Sequence, residues 1–330
     1  MEITASSRAS LTDAYAPIQT QLERVKGCFD AELASGRTFV NGLCEQVRRY
    51  RGKMLRPALL LLSGQATGRL KDDHVVLGAV VEMVHIATLV HDDVLDQADV
   101  RRQQTTVNRM SGNEAAVLLG DYLISHAFHL CSSLSSTTAA REIGATTNVV
   151  CEGELTQIQH RGDARLTEAE YIDIVLAKTG ALTGACCALG ARFAGAAAGV
   201  AEEMRRFGMD AGIAFQIIDD LLDLNGDEAR VGKSLGRDLD LGKLTLPMIH
   251  AVANVNEGSR VRLEGMISGR AASDPAEVRR LLNEAGSFEY AQRIAGDYVR
   301  SAARRLEGLP DSPARASLLM MVEFILRRDH

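Results

Sequence analysis

Two short stretches carry most of the acid that could do chemistry. HDDVLDQADVRR, residues 91–102, closes a long apolar run, VVLGAVVEMVHIATLV, and IIDDLLD, residues 217–223, repeats its acidic core. On a helix, residues four apart share a face, so Asp92 stands over Asp96 and Asp219 over Asp223, with Asp93 and Asp220 turned about 100° away. Carboxylates at that spacing repel, and near a helix C-terminus they also meet the negative end of the macrodipole. A divalent cation removes both penalties, and oxygen donors favour Mg²⁺, which prefers a few carboxylates plus phosphate oxygens. A solvated helix end would explain either cluster alone. Two copies, each trailed by cations (Arg101 and Arg102 after the first, Lys233 and Lys243 after the second), describe a polyanion site, with a diphosphate the best match.

The other half of the ligand follows from what lies behind the first cluster. Counting back from Asp92 along one face gives Thr88, His85, Val84 and Val81, a charged mouth over an increasingly apolar wall. A diphosphate with a hydrocarbon tail satisfies both ends.

These residues have to be held by helices. Apolar residues recur at three- and four-residue spacing, no proline occurs between residues 58 and 246, and no alternating strand pattern appears, so the fold class is all-α. Thr167 with Glu170, and Asp274 with Pro275 and Glu277, mark helix starts. Loops are expected near 71–73, 137–138, 226–242, 254–274 and 308–313. No Pro/Ser-rich linker divides the chain, which predicts a single domain over residues 1–330 with a central substrate cavity.

At 330 residues, 46% hydrophobic, 24% charged and a formal charge of −6, the chain can bury a large core and has no basic stretch suited to nucleic acid. Its longest apolar run is interrupted by Glu82 and His85 and is short for a membrane span. The start, MEITASSRAS, lacks a basic and apolar leader, so a cytoplasmic location is expected. Six cysteines without metal-ligand spacing read as small buried apolar residues, and the segment around Cys186 and Cys187, ALTGACCALGARFAGAAAG, reads as close helix packing.

GKMLRPAL at 52–59, HIATLVHDDVLDQADVRR at 85–102, LGDYL at 119–123, GELTQ at 153–157, AKTG at 177–180, FQIIDDLLD at 215–223 and GKSLGRDLDLGKLTLP at 232–247 occur in an order that closely resembles the trans-isoprenyl diphosphate synthases, or polyprenyl synthetases. The resemblance implies a helical bundle in which the two aspartate motifs face each other. It implies that Asp92 and Asp96, with Asp93, hold two Mg²⁺ ions and that Asp219, with Asp220 and Asp223, holds another, about three in all. Arg101, Lys178, Thr179, Gln216, Lys233 and Lys243 would hold the allylic diphosphate, and Lys53, Arg56, His85 and Arg102 isopentenyl diphosphate. The implied reaction ionises the allylic C–O bond, joins the isopentenyl double bond to the cation, and loses a proton to the departed diphosphate. A homodimer is also implied.

In this family, small residues four or five positions before the first motif let the product grow; here they are Thr88 and Ala87, with Val84 a turn deeper. Each helical turn adds roughly one isoprene unit, so roughly six to ten units are expected. A shorter, geranylgeranyl product is the first alternative. Phe128 is a candidate tunnel floor, though core packing is its commoner role. RRQQTTVN and GKSLG depart from the family's RRG-x-PT and GKPxG. A class I terpene cyclase is disfavoured by DDLLD in second place, and a non-catalytic subunit by retention of both acidic and basic sets. Arg327 and Arg328 read as a solvated terminal pair.

Overall fold

The computed structural model describes residues 11–225 and 236–328. Helices α1 (Leu11–Tyr15), α2 (Gln19–Glu32), α3 (Thr38–Tyr50), α4 (Leu55–Thr67) and α5 (Asp72–Leu95) come first. A two-stranded ribbon, β1 (Val100–Arg101) and β2 (Gln104–Thr105), leads to α6 (Val107–Ser111), α7 (Asn113–Ser132), α8 (Thr138–Gln159) and α9 (Glu168–Val175). One turn of π-helix, Leu176–Gly180, joins α9 to α10 (Ala181–Phe193), and α11 (Ala198–Asn225) follows. The remainder comprises α12 (Arg237–Asp240), α13 (Leu246–Asn254), α14 (Glu257–Ile267), α15 (Pro275–Glu284), α16 (Ser287–Arg305) and α17 (Pro313–Leu326). The chain is all-α apart from the ribbon.

α5 lies at the centre, packed on α2, α4 and α7, while α10 bridges α4 and α11. Its sequence is apolar on nearly every side, and a helix of that kind is covered all round. By length and composition it could cross a membrane, as could the stretch Glu168–Phe193, but 72% and 78% of their apolar windows are buried inside the protein. Val80, Val81, Met83 and Val84 are almost wholly buried, each contributing roughly 1.5–3 kcal/mol. Glu82, a carboxylate buried among them, has the Arg56 and Arg102 guanidiniums nearby to offset its burial. The small-residue segment packs closely as expected: a Cβ on Gly190 would sit 2.1 Å from the carbonyl oxygen of Leu60, and one on Gly208 2.4 Å from that of Thr183.

Local signals decide the helix starts. Thr167 and Glu170 form the reciprocal cap of α9, and Asp274 accepts from the Ala276 N–H to start α15. Three expectations fail: the loop expected over 226–242 contains α12, Arg237–Asp240. The stretch 254–274 contains α14, whose N-cap Asn256 accepts from the Ser259 N–H. The ribbon was hidden because its strands are two residues long. Its turn puts Arg102 at φ 51° and Gln103 at φ 62°, as a tight hairpin requires. Gln103 stands where the family pattern has glycine, so it adopts a left-handed backbone that glycine would take without strain.

Candidate active site

One cavity of about 790 Å³ receives both aspartate motifs. Asp92 comes from the last turn of α5 and Asp96 from its C-cap; Asp219, Asp220 and Asp223 come from the last two turns of α11. Residues 237–243 reach the first motif. Lys243 Nζ lies 2.7 Å from Asp96 Oδ2, and the Arg237 guanidinium donates to the Asp96 carbonyl at 2.9 Å. Arg161, from the end of α8, adds a longer 3.4 Å contact to Asp96.

Within the first motif the three aspartates divide their work. Asp92 and Asp96 line the cavity, whereas Asp93 is 1% exposed and accepts from the Tyr50 hydroxyl at 2.8 Å and Arg101 Nε at 2.7 Å. The expectation that Asp93 binds metal is thereby corrected. The 100° turn away from Asp92 sends it into the core, where it fixes Arg101 and the end of α3. Burial, with the neighbouring Glu154 carboxylate next in effect, pushes the Asp92 carboxyl up to about 6, against Lys178 and Lys243. Clustered oxygen donors that disfavour their own charge fit a hard divalent cation.

The second motif buries its middle member too. Asp220 is 5% exposed and accepts from the Tyr171 hydroxyl at 2.6 Å and Gln216 Nε2 at 2.8 Å. Burial, then the Asp238 charge, raises its carboxyl well above the ordinary range. Both bonds come from neutral donors and leave Asp219 and Asp223 as the more open pair. Asp219 meets Arg328 at 3.3 Å, and Asp223 Oδ2 accepts from the Asp238 N–H at 3.2 Å. Arg328 is therefore no solvated terminal residue: it stacks 4.1 Å over the Phe215 ring and is 14% exposed. Arg327 pairs with Glu323.

The cations divide into two nests on the same cavity. Lys178, in the π-turn, pairs with Glu154 and hydrogen-bonds Gln157, while Thr179 donates to Gln216 at 2.9 Å. Lys243 completes this nest, and Lys233 lies outside the described residues. Lys53, Arg56, His85 and Arg102 line the opposite part of the wall together with Glu82. Burial, then Arg56 and Arg102, holds the His85 imidazole well below its usual value, so it is neutral and can donate one hydrogen bond. Arg102 donates to the Tyr50 carbonyl and packs on Gly52, where a Cβ would lie 2.3 Å from its guanidinium nitrogen. Arg56 Nε and Arg328 Nη1 are buried N–H groups with no partner among the described residues. Orphaned donors of this kind call for an anion.

Of the residues expected to govern product length, only Thr88 lines the cavity; Ala87 and Val84 are buried in the core at 0% and 1% exposure. On α5 the deeper lining passes from His85 to Glu82, while Val84 and Val81 pack into the core. Leu89, Val150, Leu155 and Ile158 supply apolar wall in their place. Phe128 is 38% exposed on α7 and is neither floor nor core. Cys151 is exposed and lines the cavity, contrary to the reading of all six cysteines as buried. Glu82, Glu154, Tyr50, Tyr171, Arg161 and Arg237 were missed: only Glu82, a lone acid in an apolar run, Glu154, inside GELTQ, and Arg237, inside GKSLGRDLDLGKLTLP, carried a sequence signal.

Comparison with known proteins fits this geometry. The chain is 34% identical over 301 residues to the octaprenyl diphosphate synthase of Escherichia coli, covering 90% of this chain and 93% of that one. It is 34% identical over 283 residues to a short chain isoprenyl diphosphate synthase of Methanothermobacter thermautotrophicus, covering 84% and 87%. A crystal structure of polyprenyl synthase from Caulobacter crescentus, complexed with calcium and isoprenyl diphosphate, superposes with a TM-score of 0.93 at 30% identity, covering 99% of this chain and 100% of that one. The family model for polyprenyl synthetase matches residues 38–285, and the chain belongs to that family.

Proposed function

We propose that the chain condenses isopentenyl diphosphate with an allylic diphosphate, such as farnesyl or geranylgeranyl diphosphate, to make a trans-polyprenyl diphosphate. The observation that carries this reading is the pair of aspartate motifs over one cavity, flanked by two separate cation nests. Asp92, Asp96, Asp219 and Asp223 would hold Mg²⁺, which supplies charge stabilisation for the leaving diphosphate. Lys178 and Lys243 hold the allylic diphosphate together with Arg101, which lines the same cavity. As the allylic C1–O bond breaks, its electron pair leaves with the diphosphate, and these cations stabilise the developing charge. Lys53, Arg56, His85 and Arg102 orient isopentenyl diphosphate so that its double bond forms the new bond to C1. The proton lost from the condensed cation passes to the departed diphosphate. Thr179, tied to Gln216 in the π-turn, keeps that part of the wall polar.

We place the product at roughly six to ten isoprene units. Thr88 is small, and the cavity's lip is apolar and open at Leu95, Leu155 and Ile158, which are 44%, 66% and 36% exposed. The shorter product remains the second reading, favoured by the archaeal short-chain relative. A homodimer is supported by Val117, Leu118 and Phe128 on α7 with Val149 and Leu155 on α8, apolar side chains exposed on adjacent helices. Incubation with Mg²⁺, labelled isopentenyl diphosphate and farnesyl diphosphate, with product length read by chromatography, tests the proposal. A ladder ending at a definite length, abolished by chelator, is expected; failure to elongate any allylic primer would overturn it.

A further inference from the structure

A second cluster of metal-ligating side chains lies on the far flank of α7. Glu32, the last residue of α2, accepts from His126 Nδ1 at 2.7 Å and from His129 Nδ1 at 2.8 Å, both on the same oxygen, Oε1. One ligand atom from each residue falls within 4.8 Å of the other two. His126 and His129 are three apart and project from one side of α7. His129 is about 100° round the helix from Phe128 and about 20° from Leu118, so the cluster borders the exposed apolar strip.

We propose that Glu32, His126 and His129 form a binding site for a transition-metal ion of the zinc class, separate in place and chemistry from the carboxylate site. Two imidazoles and one carboxylate are the donor set that zinc, cobalt and nickel select, whereas Mg²⁺ prefers oxygen alone. Three donors at about 2.1 Å from a tetrahedral ion stand roughly 3.4 Å apart, so each N–O separation widens by roughly 0.6 Å as the ion replaces the two hydrogen bonds. In the tautomer that carries its proton on Nε2, each ring presents the Nδ1 lone pair to the ion. His126 is held by the Tyr122 ring, centroids 4.2 Å apart, and Glu32 is 14% exposed. His129, 73% exposed, gives access to solvent and leaves room for water as fourth ligand. Glu32 also stands at the negative end of the α2 dipole, which favours a cation. The bound ion ties α2 to α7 across α5, on which both pack, and so acts on stability and leaves turnover alone.

The test uses tag-free full-length protein, stripped with chelator and then saturated with Mg²⁺ and inorganic diphosphate to occupy the carboxylate site. Zinc titrated calorimetrically is expected to bind one equivalent per chain and to raise the thermal midpoint by several degrees. Cobalt is expected to give visible d–d bands without a thiolate charge-transfer band. His126→Gln with His129→Gln removes the binding and the thermal shift while Mg²⁺-dependent synthesis is retained, which shows that the variant folds. Zinc binding that persists in this double variant, a thiolate band assigning the ion to cysteine, or no stoichiometric binding would each overturn the proposal.

Discussion

The two aspartate motifs share a spelling and a helical geometry but not a means of burying their middle residue. Asp93 is compensated by a guanidinium: Arg101 and Tyr50 bond it, and the Tyr50 hydroxyl also accepts from the Val107 N–H at 3.2 Å. Asp220 has Tyr171 and Gln216, both neutral, and its carboxyl is raised well above the ordinary range. The burial of Asp93 is met by an ion pair, whereas Asp220 is bonded by neutral donors and burial pushes its carboxyl up. The first motif is thereby fixed before any ligand binds. The second stays electrostatically unfinished.

The largest expected effect tests whether the motifs are equivalent in turnover. Asp92→Ala should lower kcat about 10³-fold and Asp219→Ala about 10²-fold, since the first motif is read as holding more of the metal. Equal losses in steady-state assays would break the asymmetry. Next, Tyr50→Phe should cost about 2 kcal/mol in denaturant unfolding, because Asp93, buried in its ion pair with Arg101, loses a donor. Tyr171→Phe should cost about 1 kcal/mol, because Asp220 can stay protonated. A larger loss for Tyr171→Phe would reverse the assignment.

Protons report on the same difference. A carboxyl raised in the folded protein keeps its proton as pH rises toward that value, and metal binding favours the anion, so metal uptake releases protons. With Asp92 pushed up to about 6, Mg²⁺ affinity should fall roughly tenfold per pH unit below 6. In the absence of metal the sign reverses: such a group stabilises the fold while protonated, and that contribution fades as pH rises through its raised value. Calorimetry in buffers of different ionisation enthalpy should show proton release on Mg²⁺ uptake that grows as pH falls toward 6. The smallest effect concerns the ribbon that delivers Arg101. Gln103→Gly should stabilise by about 1 kcal/mol by relieving the φ of 62°; an unchanged denaturation midpoint would mean that the turn bears no strain.

Much of this architecture is legible in the residues themselves. The i,i+4 spacing places Asp92 and Asp96 correctly, and the periodicity and caps give the helices that carry them. The same helical arithmetic already turned Asp93 aside, and following it past the family pattern would have removed Asp93 from the metal set. What could not be read is long-range. Tyr50 and Tyr171 stand 43 and 49 residues from the carboxylates they bond, and nothing local to either predicts the pairing. Val84 and Ala87 mislead for a related reason: a helix face is defined by what packs on it, and α5 is apolar on every side.

The ion pairs across the cavity have a consequence for how ligands enter. Lys243 rests on Asp96, Lys178 on Glu154 and Arg328 on Asp219, so the site arrives furnished with its own counter-ions. Magnesium alone must displace those cations and strand them; a diphosphate alone must draw them off and leave the carboxylates facing one another. Arriving together, the two exchange partners with the protein and no charge is orphaned. Each ligand is therefore expected to raise the affinity of the other by the same factor, so that the metal–diphosphate salt binds in preference to either of its ions.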